Sequence, residues 1–571
     1  MTFGVSCASN YFNYERRGRM SEKNNHGVIK QASFLMAATL ICRIIGLLYR
    51  SPLHAIMGDV GDGYYSLAYE WYNIILLISS YSIPMAVSKV MAELLATKQY
   101  KNAQKVFKAA LFYVFVVGGA GALFAFFGAP LFLSTQPGAV LALRVLAPTI
   151  FLSGVLGVLR GYFQARNTMM PTAVSQIAEQ IVNAVISVVA AWAFTKAVVG
   201  DETEVGKYGA AGGTLGTGAG VVMGIACMLF FYFYNRNIIK KGLRRDTTEP
   251  SQEKTYGEVF KMILMMVTPV ILATCVYNVS SIVDQSIFTR LMPLKGYTEK
   301  EISVQYALFG YKFKPIMNIP IALASATSTA LIPAVATSMA KKLKEEASGK
   351  IVESINFTMF LAIPCAVGMA VLSLPVIRIL YPGGNQGSAA LLLSIGAIAV
   401  VFYCLSTVTN GVLQGLGKPS LPVRNSALAL LVNVIVLVAC ILVFNIGVYG
   451  MIVATIAYAF TVSMLNSHSV KKYIPYRNDL KNAIALPLAS AGIMAVVIAV
   501  LYWIPAKLTS ALDTYLINGV WTVLVILAGM LTYILSYVML SHKSEAELKK
   551  MPFGTRMVQV LHLLHIKIRK D

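Results

Sequence analysis

Long apolar runs alternate with short polar stretches along most of the chain. A helix needs ~20 mostly apolar residues to cross the hydrocarbon core of a bilayer. Runs of that length predict about fourteen spanning helices. In the first half they lie at 28–49, 67–95, 108–128, 139–163, 172–195 and 208–235. In the second they lie at 258–290, 303–337, 352–374, 386–412, 422–445 and 448–470, followed by 483–503 and 515–540. The two longest, 67–95 and 303–337, carry Pro84 and Pro320. Proline inside a spanning helix kinks it or frees a carbonyl, so both positions are candidate hinges. The pattern implies an all-α polytopic membrane protein.

Composition narrows the classes further. The chain of 571 residues is 57% hydrophobic and 13% charged, with a mean hydropathy of +0.67. A soluble domain is about 45–50% apolar and about 25% charged. Disorder, collagen and a small disulfide scaffold are excluded, and a soluble multidomain enzyme is disfavoured. The net charge of +23 raises the question of nucleic acid. Its distribution answers no: Lys and Arg cluster in alternate loops, around Lys98–Lys108, Arg236–Arg245, Lys341–Lys344 and Lys471–Lys481. The basic loops should face the cytoplasm, and an even number of spans puts both termini there. Residues 1–27 form a polar tail without the apolar core of a signal peptide, and Met20 is an alternative start. Residues 546–571 read as a basic amphipathic helix on anionic lipid. The seven cysteines are scattered, without metal or disulfide spacing.

The chain repeats internally. Gly161, Gln164, Val182 and Asn183 match Gly411, Gln414, Val432 and Asn433 at an offset of about 250 residues. Ile83-Pro84 matches Ile319-Pro320. A six-helix bundle at 28–235 is therefore expected to be duplicated at 258–470 in the same orientation. A basic linker at 236–257 joins them, and two additional spans follow within 471–545. A parallel repeat of this kind places a substrate cavity between its halves.

Several motifs carry no chemistry. Gly212, Gly216, Gly220 and Gly224 form a ladder of small residues for close helix packing. Gly411 to Lys418 lacks the spacing and Ser/Thr of a phosphate loop. His562 and His565 lack further metal ligands. No cofactor or metal is called for, and no enzymatic constellation is present.

Ionisable residues at membrane depth are costly and mark function by default. Arg43 and Arg50 lie seven apart on one face of the first span. Lys89 and Glu93 form an i, i+4 pair in the second, Glu179 lies in the fifth, Asp284 in the seventh, and Lys312 and Lys314 in the eighth. Snorkelling is the favoured reading for Arg50, Arg160 and Arg290. A polar cavity is favoured for Arg43, Lys314 and Asp284. Taken together, Arg43, Arg50, Lys89, Lys312 and Lys314 outnumber Glu93 and Asp284. A cationic cavity of this kind suits an anionic head such as pyrophosphate. Asp284, Glu93 and Glu179 are candidates for ion coupling or charge balance.

Arg43-x-x-Gly46 with Arg50, Ile319-Pro320-Ile-Ala-Leu-Ala with Ala330-Leu-Ile-Pro333, and Gly411-x-x-Gln414-Gly-x-Gly417 carry a resemblance. With fourteen spans and a 6+6 repeat, the chain resembles the multidrug/oligosaccharidyl-lipid/polysaccharide exporter superfamily. The branch is that of polysaccharide-biosynthesis and stage V sporulation B-like proteins, which includes the MurJ-type lipid II flippases. The resemblance implies a flippase for an undecaprenyl-pyrophosphate-linked cell-wall precursor, lipid II first, working by alternating access. It assigns the pyrophosphate to basic residues of spans 1, 2 and 8, here Arg43, Arg50 and Lys314. The arginines that relatives carry in mid-span 2 are missing from Leu76 to Ile83. The last two spans would hold the polyprenyl tail. Implied partners are the polyprenyl-pyrophosphate-linked oligosaccharide, anionic lipids and cell-wall synthesis proteins. Alternatives are a cation-coupled multidrug or metabolite antiporter, a flippase for another polyprenyl-linked polysaccharide precursor, and a non-transporting scaffold.

Overall fold

A computed structural model of the chain describes residues 23–81, 83–198, 200–248, 253–475, 479–508, 514–541, 545 and 558–559. Met20, most of the N-terminal tail and nearly all of 546–571, with His562 and His565, lie outside them. The described residues are almost wholly helical and contain no strand. The first half comprises α1 (Lys23–Leu48), α2 (Arg50–Leu76), α3 (Ile83–Ala96), α4 (Tyr100–Tyr113), α5 (Gly119–Phe132), α6 (Val140–Gln164), α7 (Met170–Lys196) and α8 (Glu202–Tyr234). A short α9 (Arg236–Arg244) leads to α10 (Tyr256–Leu291), α11 (Glu299–Ala307), α12 (Lys314–Ala340), α13 (Lys344–Val371) and α14 (Ser373–Leu380). Then come α15 (Gln386–Gly415), α16 (Ser420–Leu442), α17 (Val448–Tyr473), α18 (Leu486–Leu508) and α19 (Tyr515–Ser541).

Twelve helical stretches among the described residues are long and apolar enough to cross a membrane. α1 and α10 cover the remaining two runs. The exposed surface is rich in large apolar side chains, among them Phe127, Trp192, Ile435 and Leu527. Hydrocarbon solvates such a surface where water would not.

The repeat is visible in which helices touch. α1 packs on α7 and α10 on α16; α7 packs on α8 and α16 on α17; α3 packs on α6 and α12 on α15. Asn183 and Asn433, matched in sequence, are both buried, on α7 and α16. The glycine ladder does what its spacing implies. A Cβ on Gly212 would stand 2.6 Å from the Ala190 carbonyl of α7, and one on Gly220 2.6 Å from that of Glu179. α7 and α8 thus approach nearly to backbone contact.

Spans 1 and 2 differ from the expectation. The polar residues after Arg50 do not end the first helix. Helical hydrogen bonds carry it through Tyr49, whose carbonyl accepts from Leu53 N–H at 3.3 Å. The first helix therefore runs on to Met57, and the chain turns back at Gly58, where φ is +68° and ψ −179°. Only glycine adopts that conformation without strain. The second span then begins near Asp59, well before Leu67. It loosens into a π-helical turn at Leu77–Tyr81, just before Pro84. Span 8 does the same, with a π-turn at Leu308–Phe313 upstream of Pro320. Both candidate hinges therefore sit beside a second break in the hydrogen-bond ladder.

α18 and α19 pair with each other and lean on α13. Tyr533 Oη donates to the Phe360 carbonyl at 2.8 Å, and Tyr502 Oη to Asn518 Oδ1 at 2.6 Å. The linker after α9 is tied to the start of α4. Lys105 Nζ donates to Glu253 at 2.8 Å, and Lys254 N–H to Asn102 at 3.0 Å.

Candidate functional site

A cavity of about 250 Å³ lies where α1 and α2 face α12. Arg43 and Arg50, two helical turns apart, and Lys314 line it together with Tyr69, Glu70, Asn73 and Asn318. The structure thus brings three of the five candidate cations to one place. One carboxylate, Glu70, accompanies them, leaving an excess of positive charge.

The three cations are held differently. Lys314 Nζ lies 2.6 Å from Glu70 Oε1 and donates to Ser281 Oγ at 3.3 Å. Arg50 is not snorkelling: its Nη1 donates to the Tyr311 carbonyl at 3.0 Å, and its guanidinium lies 4.7 Å over the Tyr311 ring. Tyr65 stands 5.9 Å away and is bonded to Tyr49. Pro315, four residues on, has no N–H to give the Tyr311 carbonyl, and Tyr381 Oη also donates to it at 3.0 Å. Arg43 is exposed to the cavity, with no ion-pair partner among the described residues. It is the cation best placed to meet an incoming anion.

Lys312 and Lys89 do not line this cavity. Lys312 is wholly buried and its Nζ lies 2.6 Å from Asp59 Oδ1. Residues two apart point to nearly opposite sides of a helix, so Lys312 faces away from the side that Lys314 occupies. Asn385 N–H binds the other Asp59 oxygen at 3.1 Å, so one carboxylate ties the start of span 2 to the second half. Further ties lie alongside. Ser303 Oγ donates to the Val60 carbonyl at 2.9 Å, and Tyr64 Oη and Gly138 N–H converge on Glu299 Oε1 at 2.8 and 2.9 Å. Lys300 pairs with Glu202 at 2.7 Å on the rim. The cavity is closed at this end.

Lys89 and Glu93 are both exposed, form no ion pair with each other among the described residues, and are not among the residues that line the cavity. Glu179 is taken by Arg160, Nη2 to Oε2 2.6 Å, with Arg160 Nε on Ser175 at 3.1 Å. Arg160 is therefore anchored across α6 and α7 rather than snorkelling, and Glu179 balances it. Arg290 is exposed at its helix end. Asp284 is buried on α10 beside Asn433, within the field of Lys314 and Glu70, and its Oδ1 has no hydrogen-bond partner.

The sequence reading missed His54, Asp59, Asp62 and the tyrosines around Arg50. A signal existed: Gly58-Asp-Val-Gly-Asp62-Gly puts two carboxylates beside a turn glycine, but it read as a polar loop between spans. Glu70 was legible as a charge at membrane depth; its pairing with Lys314 was not.

A family model described as "Polysaccharide biosynthesis protein" matches residues 28–339, and one described as "MatE" matches 306–439. The lipid II flippase MurJ of Bacillus subtilis (strain 168) is 24% identical over 516 residues, 88% of this chain and 93% of its own. Stage V sporulation protein B of the same organism is 23% identical over 458 residues, 79% of this chain and 85% of its own. A solved structure of lipid II flippase MurJ, in an inward closed conformation, superposes with a TM-score of 0.62 at 17% identity, covering 89% of this chain and 98% of that one. An inward-facing multidrug resistance MATE family transporter of the MOP superfamily also gives 0.62, at 13% identity, covering 78% and 98%. At these identities the two structures establish a common fold.

Proposed function

Since the chain belongs to the polysaccharide biosynthesis protein family, we propose that it is a flippase for a polyprenyl-pyrophosphate-linked oligosaccharide, with lipid II as the first substrate to test. One observation carries the reading: Arg43, Arg50 and Lys314, far apart in sequence, line a single cavity between two repeated halves. A pyrophosphate in that low-dielectric site meets an exposed guanidinium at Arg43 and an ammonium at Lys314. The closed end faces outward, and the basic loops and both termini are cytoplasmic. Transport proceeds as 28–235 rocks against 258–470, with the weakened helix at Pro84 and Pro320 taking up the bend. Asp284 supplies ion coupling or charge balance. Anionic lipids contact the basic loops, and cell-wall synthesis proteins are candidate partners.

The test uses the full chain in liposomes carrying the polyprenyl-linked substrate, with outer-leaflet exposure as readout. Arg43→Ala with Lys314→Ala should abolish exposure, whereas Lys89→Ala should leave it intact. Normal flipping by the double variant would remove the site assignment. Rescue of a strain depleted of its lipid II flippase separates lipid II from other polyprenyl-linked glycans. A multidrug antiporter is the second reading, favoured by buried Asp284, but the cationic cavity repels the cations such transporters export.

A further inference from the structure

The closed end holds a second cluster that the transport reading does not use. The reversal at Gly58 folds His54 back beside Asp59 and Asp62, and one ligand atom from each lies within 4.8 Å of the others. His54 Nδ1 is 2.6 Å from Asp62 Oδ2. Asp62 is wholly buried, yet its Oδ1 has no hydrogen-bond partner. Asp59 Oδ2 is taken by Asn385 N–H, while its Oδ1 receives Lys312 Nζ. An imidazole with two carboxylates suits a first-row divalent cation. All three ligands belong to one segment of the first half. The positive charge they now hold, Lys312, belongs to the second half. Arg50 nearby faces tyrosines and forms no ion pair with either carboxylate.

We propose that His54, Asp59 and Asp62 form a binding site for a divalent cation such as Mn²⁺, for which Lys312 is the tethered competitor. Withdrawal of Lys312 frees Asp59 Oδ1 in the same cluster as the unpartnered Asp62 Oδ1. It also leaves two carboxylates without their compensating ammonium, and a cation offsets that charge. The donor set stands independently of transport. Filling it whenever the halves separate rests on the rocking mechanism proposed above, and a cation bound there holds this end open.

The experiment titrates the full chain in detergent with Mn²⁺, followed by paramagnetic resonance. Lys312→Met should bind one Mn²⁺ at least about tenfold more tightly than the unaltered protein, and adding Asp62→Asn should lose that gain. Binding no tighter in Lys312→Met, or indifferent to Asp62→Asn, overturns the proposal. A second measurement leaves the cluster intact. Glu202→Cys with Lys300→Cys places two thiols at the rim, and cross-linking by a short bifunctional thiol reagent reports closure. Mn²⁺ should lower the cross-link yield. If Mn²⁺ binds Lys312→Met but cross-linking is unchanged, the site stands and the rocking mechanism fails. If Lys312→Met does not fold, Lys312→Gln takes its place in the titration, and binding no tighter than in the unaltered protein, or indifferent to Asp62→Asn, then overturns the site.

Discussion

Arg43, Lys314 and Lys312 show how little a charge at membrane depth says without its partner. All three are cations near the bilayer interior, yet one is open to a cavity, one is shared with Glu70 and one is sealed against Asp59. Their substitutions should differ accordingly. Arg43→Ala removes a charge-assisted contact worth about 1.5–3 kcal/mol, so transport should fall by at least about tenfold while thermal stability is unchanged. Lys314→Met should both slow transport and destabilise the protein, by about 1–3 kcal/mol, because Glu70 is left without its ion-pair partner. Adding Glu70→Gln should restore stability but not transport. A double-mutant cycle on thermal unfolding and flipping separates the two effects. Lys89→Ala, on an exposed face, should change neither.

At the scale of the helix, close approach and docking dominate. Gly212→Ala drives a Cβ into the backbone of α7, and overpacking of that kind costs about 1–3 kcal/mol. Gly119→Ala, where nothing stands within 4 Å of the added carbon, should be neutral. Unfolding in mixed micelles checks the contrast, and equal losses at both sites would refute the packing argument. The linker offers a pH test. Burial opposes ionisation of Asp246, but hydrogen bonds from Lys101 N–H and Thr248 hold its carboxyl below the usual range. Lys105 does the same for Glu253. Carboxyls held low in the docked state favour docking at neutral pH, and that contribution is lost as the pH falls through the acidic range. Exchange protection of residues 245–248 and 253–255, corrected for the intrinsic pH dependence, should therefore fall between about pH 5 and pH 2. Constant protection would mean the carboxylates do not hold the linker.

For the whole molecule, the halves are joined most firmly at one end, through the Asp59, Glu299 and Ser303 contacts. A cavity that opens only by parting these contacts should be stopped by a covalent tie across them. Glu202→Cys with Lys300→Cys, bridged by a bifunctional thiol reagent that reductant cleaves, should halt flipping, and reductant should restore it. Continued flipping with the cross-link intact would refute alternating access at this end.

The apolar run lengths determined the spans, because each must match the bilayer core whatever its neighbours do. The order of Pro, Gly, Gln and Asn marked the repeat, and the four-residue glycine spacing, close to the helical period, marked one face for close packing; that this face meets α7 came from the tertiary structure. The candidate site was legible only in part. Arg43 and Lys314 stood out as charges in apolar sequence. Arg50 was also visible, but the Tyr311 ring and carbonyl that hold it lie over 250 residues away in the chain. Lys312 and Lys314, two residues apart, diverge on any helix, but which carboxylate each meets depends on the elements packed around them. Gly58 likewise joins His54 to Asp62 by a backbone reversal that hydropathy reads as loop. Pairing of buried charges is a long-range property, because it depends on which helix faces which, and only the tertiary structure decided it.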